Sequence, residues 1–207
     1  MSFRFALNSY ILNPEKHKES VVFEDDNFVI IKDAFPKSVI HYLVLPRSPK
    51  WTSLHPLKAL KDDELLALCL EYVEIALAKL EAVFNSKYRH IGSEPFSVRD
   101  DFVQIGVHSV PSLNNLHIHV MTKDLCSARM KNKKHYNSFK TRFFVPLEDI
   151  SLMDKDDPRM SPRQMEDTIK NSDLICHYCG ENFKNKFALL KKHIDHEFSK
   201  SFKKLGV

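Results

Sequence analysis

Histidine and cysteine spacing marks where this chain can do chemistry. The stretch NNLHIHVM, residues 114–121, sets His117 and His119 two apart among aliphatics. In a strand, Leu116, Ile118 and Val120 fall on one face, and both imidazoles fall on the other with Met121. The two histidines then sit about 6–7 Å apart, at a rise of roughly 3.3 Å per residue. That separation suits two groups touching different oxygens of one phosphate. A pair of hydrogen-bonded structural histidines fits the same pattern, since buried imidazoles need partners in any role. His41 and His108 also lie in or at the end of strand-like runs. Four histidines on one sheet exceed what core packing requires.

Three chemistries suit such a cluster. Zinc is disfavoured, because no carboxylate or cysteine lies nearby in sequence to complete a site. Serine catalysis through Ser109 or Ser112 lacks the G-x-S-x-G elbow. The third is a neutral imidazole attacking phosphorus, with a pKa near the working pH. It would form a phosphoramidate that water later resolves. A carbonyl bonded to the ring's far N–H would hold the tautomer. The chain has 4 glycines and no Gly-rich phosphate loop, so side chains must do much of the phosphate work.

A second constellation lies near the C-terminus. Cys176 and Cys179 form a Cys-x2-Cys pair, and His193, His196 and Glu197 follow. Phe183, Phe187 and Leu190 supply a small apolar core, giving a zinc-finger layout for one structural zinc ion. Cys176, Cys179 and His193 are the clear ligands. Glu197 and His196 lie on the same helical face as His193. Glu197 leaves three intervening residues, within the usual second-ligand spacing, and His196 leaves two. Glu197 is therefore the expected fourth ligand, with His196 in reserve. A finger this small is unfolded without metal. Cys69 and Cys126 are isolated and read as buried or incidental thiols.

The elements that must position these groups follow from pattern. Residues 20–32 read as strand, turn and strand, and 39–45 as a third strand stopped by Pro46. From Asp62 to Phe84, apolar residues recur at helical spacing with acidic residues in the first turn, predicting an amphipathic helix. Residues 102–108 and 115–121 read as two more strands. Strands, a long helix, then strands predict an α+β plan with an antiparallel sheet. FRFALNSYIL predicts a short amphipathic helix, with Phe3 and Phe5 expected to dock on the core. The domain division is 1–150, then an acidic, proline-containing linker at 151–173, then a small module at 174–207.

With 207 residues and 43% hydrophobic content, one domain plus an appendage is expected. No apolar run approaches the roughly 20 residues of a membrane-spanning helix, and no signal peptide is evident. An intracellular protein without a membrane partner is expected, and its cysteines are not read as disulfides. Net charge is only +4, but residues 121–140 carry six Lys/Arg against Asp124. The segment 176–207 carries seven Lys against Glu181, Asp195 and Glu197. Such blocks are a solvated face or a polyphosphate footprint.

GVHSVPSLNNLHIHVM resembles the signature strand of the histidine-triad nucleotide hydrolases and transferases. DAFPKSVIHYLVLPR, HSVPSLNNLHIHVMTKD and LCSARMKNKKHYNSF, followed by the finger, resemble the aprataxin branch over nearly the whole chain. The resemblance implies a histidine-triad fold with an antiparallel sheet and long helix, plus a C-terminal zinc finger that can end in Glu. It implies that His117 attacks, that His119 fills the last triad position, and that His108 assists the leaving oxygen. Asp33, Lys37, His41, Ser109, Asn114 and Asn115 are the implied nucleotide contacts, with Asp33 on the ribose hydroxyls. Asn115 departs from the family, which keeps a histidine there.

The implied activity is removal of AMP from the 5′ end of adenylated DNA through a His117–AMP intermediate. No cofactor is expected for the reaction itself. The partner is double-stranded DNA with a 5′-adenylated nick or end, AMP is the product, and the nucleus is the expected compartment, with the cytoplasm second. Lys131, Lys133, Lys134 and His135 would hold the strand, and Phe3 would stack on the terminal base pair. Lys184, Lys186, Lys191 and Lys192 flank the finger helix and favour phosphate contact. Two alternatives stand beside this reading: a general adenosine nucleotide phosphoramidase or dinucleotide hydrolase, and a non-catalytic protein that binds DNA ends.

Overall fold

Runs of β-branched and aromatic residues set the strands, and a computed structural model describes residues 3–206 of the chain. After a short 3-10 turn at Phe3–Phe5 come α1 (Asn8–Leu12), β1 (Val21–Glu24), β2 (Phe28–Lys32) and β3 (His41–Pro46). Then follow α2 (Pro49–Thr52), α3 (Pro56–Ala59), α4 (Asp63–Lys87), β4 (Tyr88–His90), α5 (Val98–Asp101), β5 (Val103–His108) and β6 (Ile118–Thr122). The chain closes with α6 (Lys133–Lys140), β7 (Phe144–Pro146), α7 (Leu147–Ile150), α8 (Pro162–Asn171), α9 (Phe187–Ser201) and β8 (Phe202–Lys204). None of the described helices is long and apolar enough to cross a membrane.

Six strands form one sheet in the order β1-β2-β3-β6-β5-β7, with every pairing antiparallel. The α+β plan read from the sequence is the one observed. The Asp62 side chain caps α4 by accepting the Leu65 N–H at 3.0 Å. Leu65, Cys69, Val73, Leu77, Leu80 and Phe84 then pack on one sheet face against Ile30, Val44, Leu116, Ile118 and Val120. Alternation sends the next residues of each strand to the opposite face. There Val29, Ile31, Leu43 and Leu45 cluster with Leu7 and Ile11. The four histidines share this second face.

Gly106 lies across from His119 in the β5–β6 ladder and from Pro146 in the β5–β7 ladder. A Cβ there would sit 2.3 Å from the Val145 carbonyl oxygen and 2.8 Å from the Phe144 ring. Glycine is required by this close approach, which lets β7 and Phe144 close over the histidine face.

Three expectations differ from the structure. The N-terminal helix is split into a 3-10 turn and a five-residue α1. Phe3 is 69% exposed and Phe5 is 42% exposed, so neither docks on the core. Leu7 and Ile11, four apart, take that place. The segment read as a loose linker holds the ten-residue α8. Pro162 opens this helix in its first turn, and Met165 and Ile169 bury against Phe143. The buried Asn137 amide donates to the carbonyls of Ile169 at 3.2 Å and Ser172 at 3.0 Å. Nor does the C-terminal module stand apart. Leu190 and Ile194 share a cluster with Met121, Leu125 and Tyr136. β8 pairs with β4, and Phe202 packs edge-on or tilted among Phe84, Phe96 and Phe102.

Candidate active site

Strand register brings the four histidines together. His119 is the hub, with ring centroids 4.5 Å from His108, 5.0 Å from His117 and 5.1 Å from His41. Phe139 of α6 packs against His41, His108 and His119. His41, His117 and His119 are buried. All four rings open on a cavity of about 600 Å³, within the roughly 300–1,000 Å³ range of small-molecule sites.

Hydrogen bonds fix which nitrogen of each ring carries the proton. The His117 Nδ1–H donates to the Asn115 carbonyl oxygen at 2.7 Å, which leaves Nε2 with its lone pair. This is the tautomer-holding carbonyl expected from the sequence, and it comes from the backbone. The Lys37 N–H donates to His41 Nδ1 at 3.2 Å. The His41 Nε2–H therefore donates to His119 Nδ1 at 2.9 Å. The remaining His119 proton is on Nε2, which has no partner among the described residues. His119 thus offers a donor beside the lone pair of His117. The Ser138 backbone bonds the His108 ring, whose Nε2 is likewise unpartnered.

Burial keeps all four rings neutral. It pushes His41 down to about 4 against the opposing pull of Asp33. His108 and His119 fall well below the ordinary value for the same reason. Burial also lowers His117, while the Asn115 carbonyl and Asp33 resist. Burial lowers Lys37 too, with Asp33 opposing.

Asp33, His41 and His119 lie close enough to suggest a metal site. Asp33 approaches His41 Nδ1 at 3.5 Å, whereas His119 bonds the opposite nitrogen, Nε2. One ion cannot take both sides of one ring; the Lys37 N–H, His41 and His119 form the hydrogen-bonded relay, and the Asp33 carboxylate lies beside it. In the sequence, no carboxylate lies near these histidines to favour zinc. Asp33 is in fact adjacent, and ring geometry is the better reason.

The implied contact residues are divided by the fold. Phe3, Asp33, Lys37, Lys134 and His135 line the cavity with the histidines. Lys131 and Lys133 lie outside that lining. The Lys133 ammonium donates to Asn185 of the C-terminal module. Ser109 is buried with its hydroxyl unpartnered. Asn114 is exposed, and its N–H donates to the Arg4 carbonyl at 2.9 Å. Asn115 is buried and bonds Asn8 and Thr52. Leu7, Tyr10, Ile31, Leu43 and Leu113 make an apolar wall opposite the polar groups.

Some contributors had little sequence signal. Glu166 and Ile169 enter the cavity wall from α8, the stretch read as linker. Asp124 is buried and ties the exit of β6 to the entry of β3, accepting the Val39 and Cys126 N–H groups at 2.9 Å each. Its position after the histidine strand was the only available hint.

In the C-terminal module, Cys176, Cys179 and His193 converge with their ligand atoms within 4.8 Å of one another. Gly180 takes the left-handed conformation (φ 77°) that turns the chain after Cys179. Two thiols and an imidazole at this spacing fit zinc. The Glu197 carboxylate bonds Lys200 Nζ at 2.7 Å, one helical turn beyond His193, and is not among the convergent groups. Lys191, expected on phosphate, is instead tied to Asp195 and to the Cys126 carbonyl.

The sheet, the relay and the C-terminal Cys-Cys-His cluster together define a histidine-triad protein with a zinc-finger segment. A family described as "Scavenger mRNA decapping enzyme C-term binding" matches residues 7–135, and one described as "C2HE / C2H2 / C2HC zinc-binding finger" matches residues 140–200. An aprataxin-like protein of Saccharomyces cerevisiae is 42% identical, over 98% of this chain and 99% of its own length. That of Schizosaccharomyces pombe is 35% identical, over 95% and 82%. The crystal structure of the aprataxin ortholog Hnt3 in complex with DNA superimposes with a TM-score of 0.79 at 32% identity, covering 96% of each chain. The chain belongs to the aprataxin-like family.

Proposed function

We propose that the protein is a DNA 5′-adenylate hydrolase, removing AMP from abortive ligation intermediates and restoring a 5′-phosphate. The observation that carries this reading is the His117 ring, with Nδ1 engaged by the Asn115 carbonyl and Nε2 free at a nucleotide-sized cavity. The apolar wall suits a nucleobase, and Asp33 suits the ribose hydroxyls. His117 Nε2 attacks the AMP phosphorus, and the bond to the DNA 5′-phosphate oxygen breaks with its electron pair. The ring becomes an N-phosphorylated imidazolium that keeps its Nδ1–H on Asn115. Water then attacks phosphorus, the P–N bond breaks, a proton leaves, and AMP is released. The unpartnered His119 Nε2–H stabilises charge developing on the phosphoryl oxygens.

A polynucleotide is favoured by the basic N-terminus of α6, where Lys134 and His135 border the cavity and helix N–H groups favour phosphate. Two solved structures support it, described as the aprataxin ortholog Hnt3 in complex with DNA and Hnt3 in complex with DNA and guanosine. Exposed Phe3 at the cavity mouth supplies a stacking surface for a terminal base pair. Cys176, Cys179 and His193 would hold one zinc ion, which supplies structural cross-linking and no reaction chemistry. Glu197 completes the set on turning from Lys200. The proposed compartment is the nucleus. Incubation with 5′-adenylated nicked DNA labelled in the AMP should give an acid-labile protein–AMP adduct and free AMP. Absence of both, or equal turnover of AMP-lysine, would remove the DNA-specific reading.

A further inference from the structure

Asn115 occupies the position where the family keeps a histidine, yet its side chain does not reach the cavity. The residue is 5% exposed, and its amide nitrogen donates to Asn8 Oδ1 at 2.8 Å and to Thr52 Oγ1 at 3.2 Å. Among the described residues its amide oxygen has no partner, so the side chain acts as a double donor. A neutral imidazole there would donate only one N–H. The flanking backbone repeats the connection. The Asn114 N–H donates to the Arg4 carbonyl at 2.9 Å, and the Leu116 N–H to the Thr52 carbonyl at 2.7 Å. Asn8 is the first residue of α1, and Leu7 and Tyr10 beside it line the apolar half of the cavity.

We propose that Asn115 is a positioning residue with divided duties. Its carbonyl orients the attacking ring, and its side-chain amide latches the N-terminal segment to the histidine strand. The cavity wall that receives the nucleobase is thereby held in place. Replacement of the family's histidine then costs nothing in the chemical step, because the bond to His117 is made by backbone that any residue supplies. The side chain is released to hold the wall.

The kinetic half of the test rests on the proposed deadenylation; the structural half does not. Trypsin digestion of the folded full-length protein, read by mass spectrometry, reports opening of the segment at Arg4, Lys16 and Lys18. Asn115→Ala and Asn8→Ala should each speed these cuts by up to about tenfold, the scale of one to two hydrogen bonds, and leave cuts elsewhere unchanged. The double variant should be no faster than the single ones. On adenylated DNA, both should raise KM by up to about tenfold with kcat within about twofold. If Asn115→Ala fails to fold, half-buried Asn8 tests the same bond from the other end. Unchanged cutting in the folded variants would overturn the latch. A large fall in kcat at constant KM would also overturn it, by placing the amide in the chemistry. Wild-type protein that releases no AMP would refute the proposed function alone, with digestion still deciding the latch.

Discussion

The His117 ring suits its proposed role because two backbone groups, not side chains, set the proton positions around it. The Asn115 carbonyl holds His117, and the Lys37 N–H, acting through His41, makes His119 a donor. Replacing His117 by Ala should therefore abolish both the protein–AMP adduct and AMP release while leaving DNA affinity within about threefold, because the basic groups are untouched. Retained release would refute the assignment. The proposed attack needs the neutral ring, and burial lowers its pKa below the ordinary 6.5. Acidification protonates the ring only after pH has fallen past that value. The acid limb of kcat/KM should accordingly lie below pH 6.5, with a plateau through neutrality; a limb centred above pH 7 would contradict the neutral, buried site. His-x-His alternation made His117 and His119 legible in the sequence, since strand geometry is local. Contact between Asp33 and His41 depends on a loop turning back at residues 33–40, and alternation says nothing about that turn.

Elements were legible where one physical signal dominated. Acidic first-turn residues and a long apolar period defined α4, and its observed span, Asp63–Lys87, runs only three residues past the predicted end. α8 was missed because charge and proline outweighed Met165 and Ile169, two apolar residues whose burial depends on a distant partner, Phe143. Gly106 is the reverse case, a residue whose necessity appears only in the assembled sheet. Its missing Cβ makes room for the Val145 carbonyl and the Phe144 ring, with Phe144 also packing against His119. Gly106→Ala must push β7 away from β5, an overpacking cost of about 1–3 kcal/mol. Urea unfolding should show that loss as a lower midpoint at unchanged slope. Activity should fall as well, since displaced Phe144 no longer braces His119. A variant as stable and active as the original would show that β7 shifts freely.

At the scale of the whole molecule, the C-terminal segment is built into the same core as the histidine sheet. The Tyr136 hydroxyl donates to the Ile175 carbonyl at 2.8 Å and accepts the His177 N–H at 3.1 Å, both inside or beside the Cys-x2-Cys turn. Tyr136 belongs to α6, which also supplies Phe139 against the three histidine rings and the Ser138 backbone to His108. At its other end the segment returns as β8 on β4, with Phe198 and Phe202 inside the main cluster. Spacing alone singled out Cys176, Cys179 and His193, which converge in the fold, but it gave no sign of these contacts, which join residues far apart in the chain. Zinc, held as proposed by Cys176, Cys179 and His193, would therefore stabilise more than a finger. Without the ion, a module this small does not hold its fold, and α6 and β4 lose the surfaces packed on them. A strong chelator should lower the melting temperature of the entire protein in one cooperative transition. Hydrogen exchange should increase in α6 and β4 as well as in residues 174–201, and zinc should restore both. Two separate transitions, with the sheet melting at its original temperature, would mean that the segment folds independently of the catalytic body.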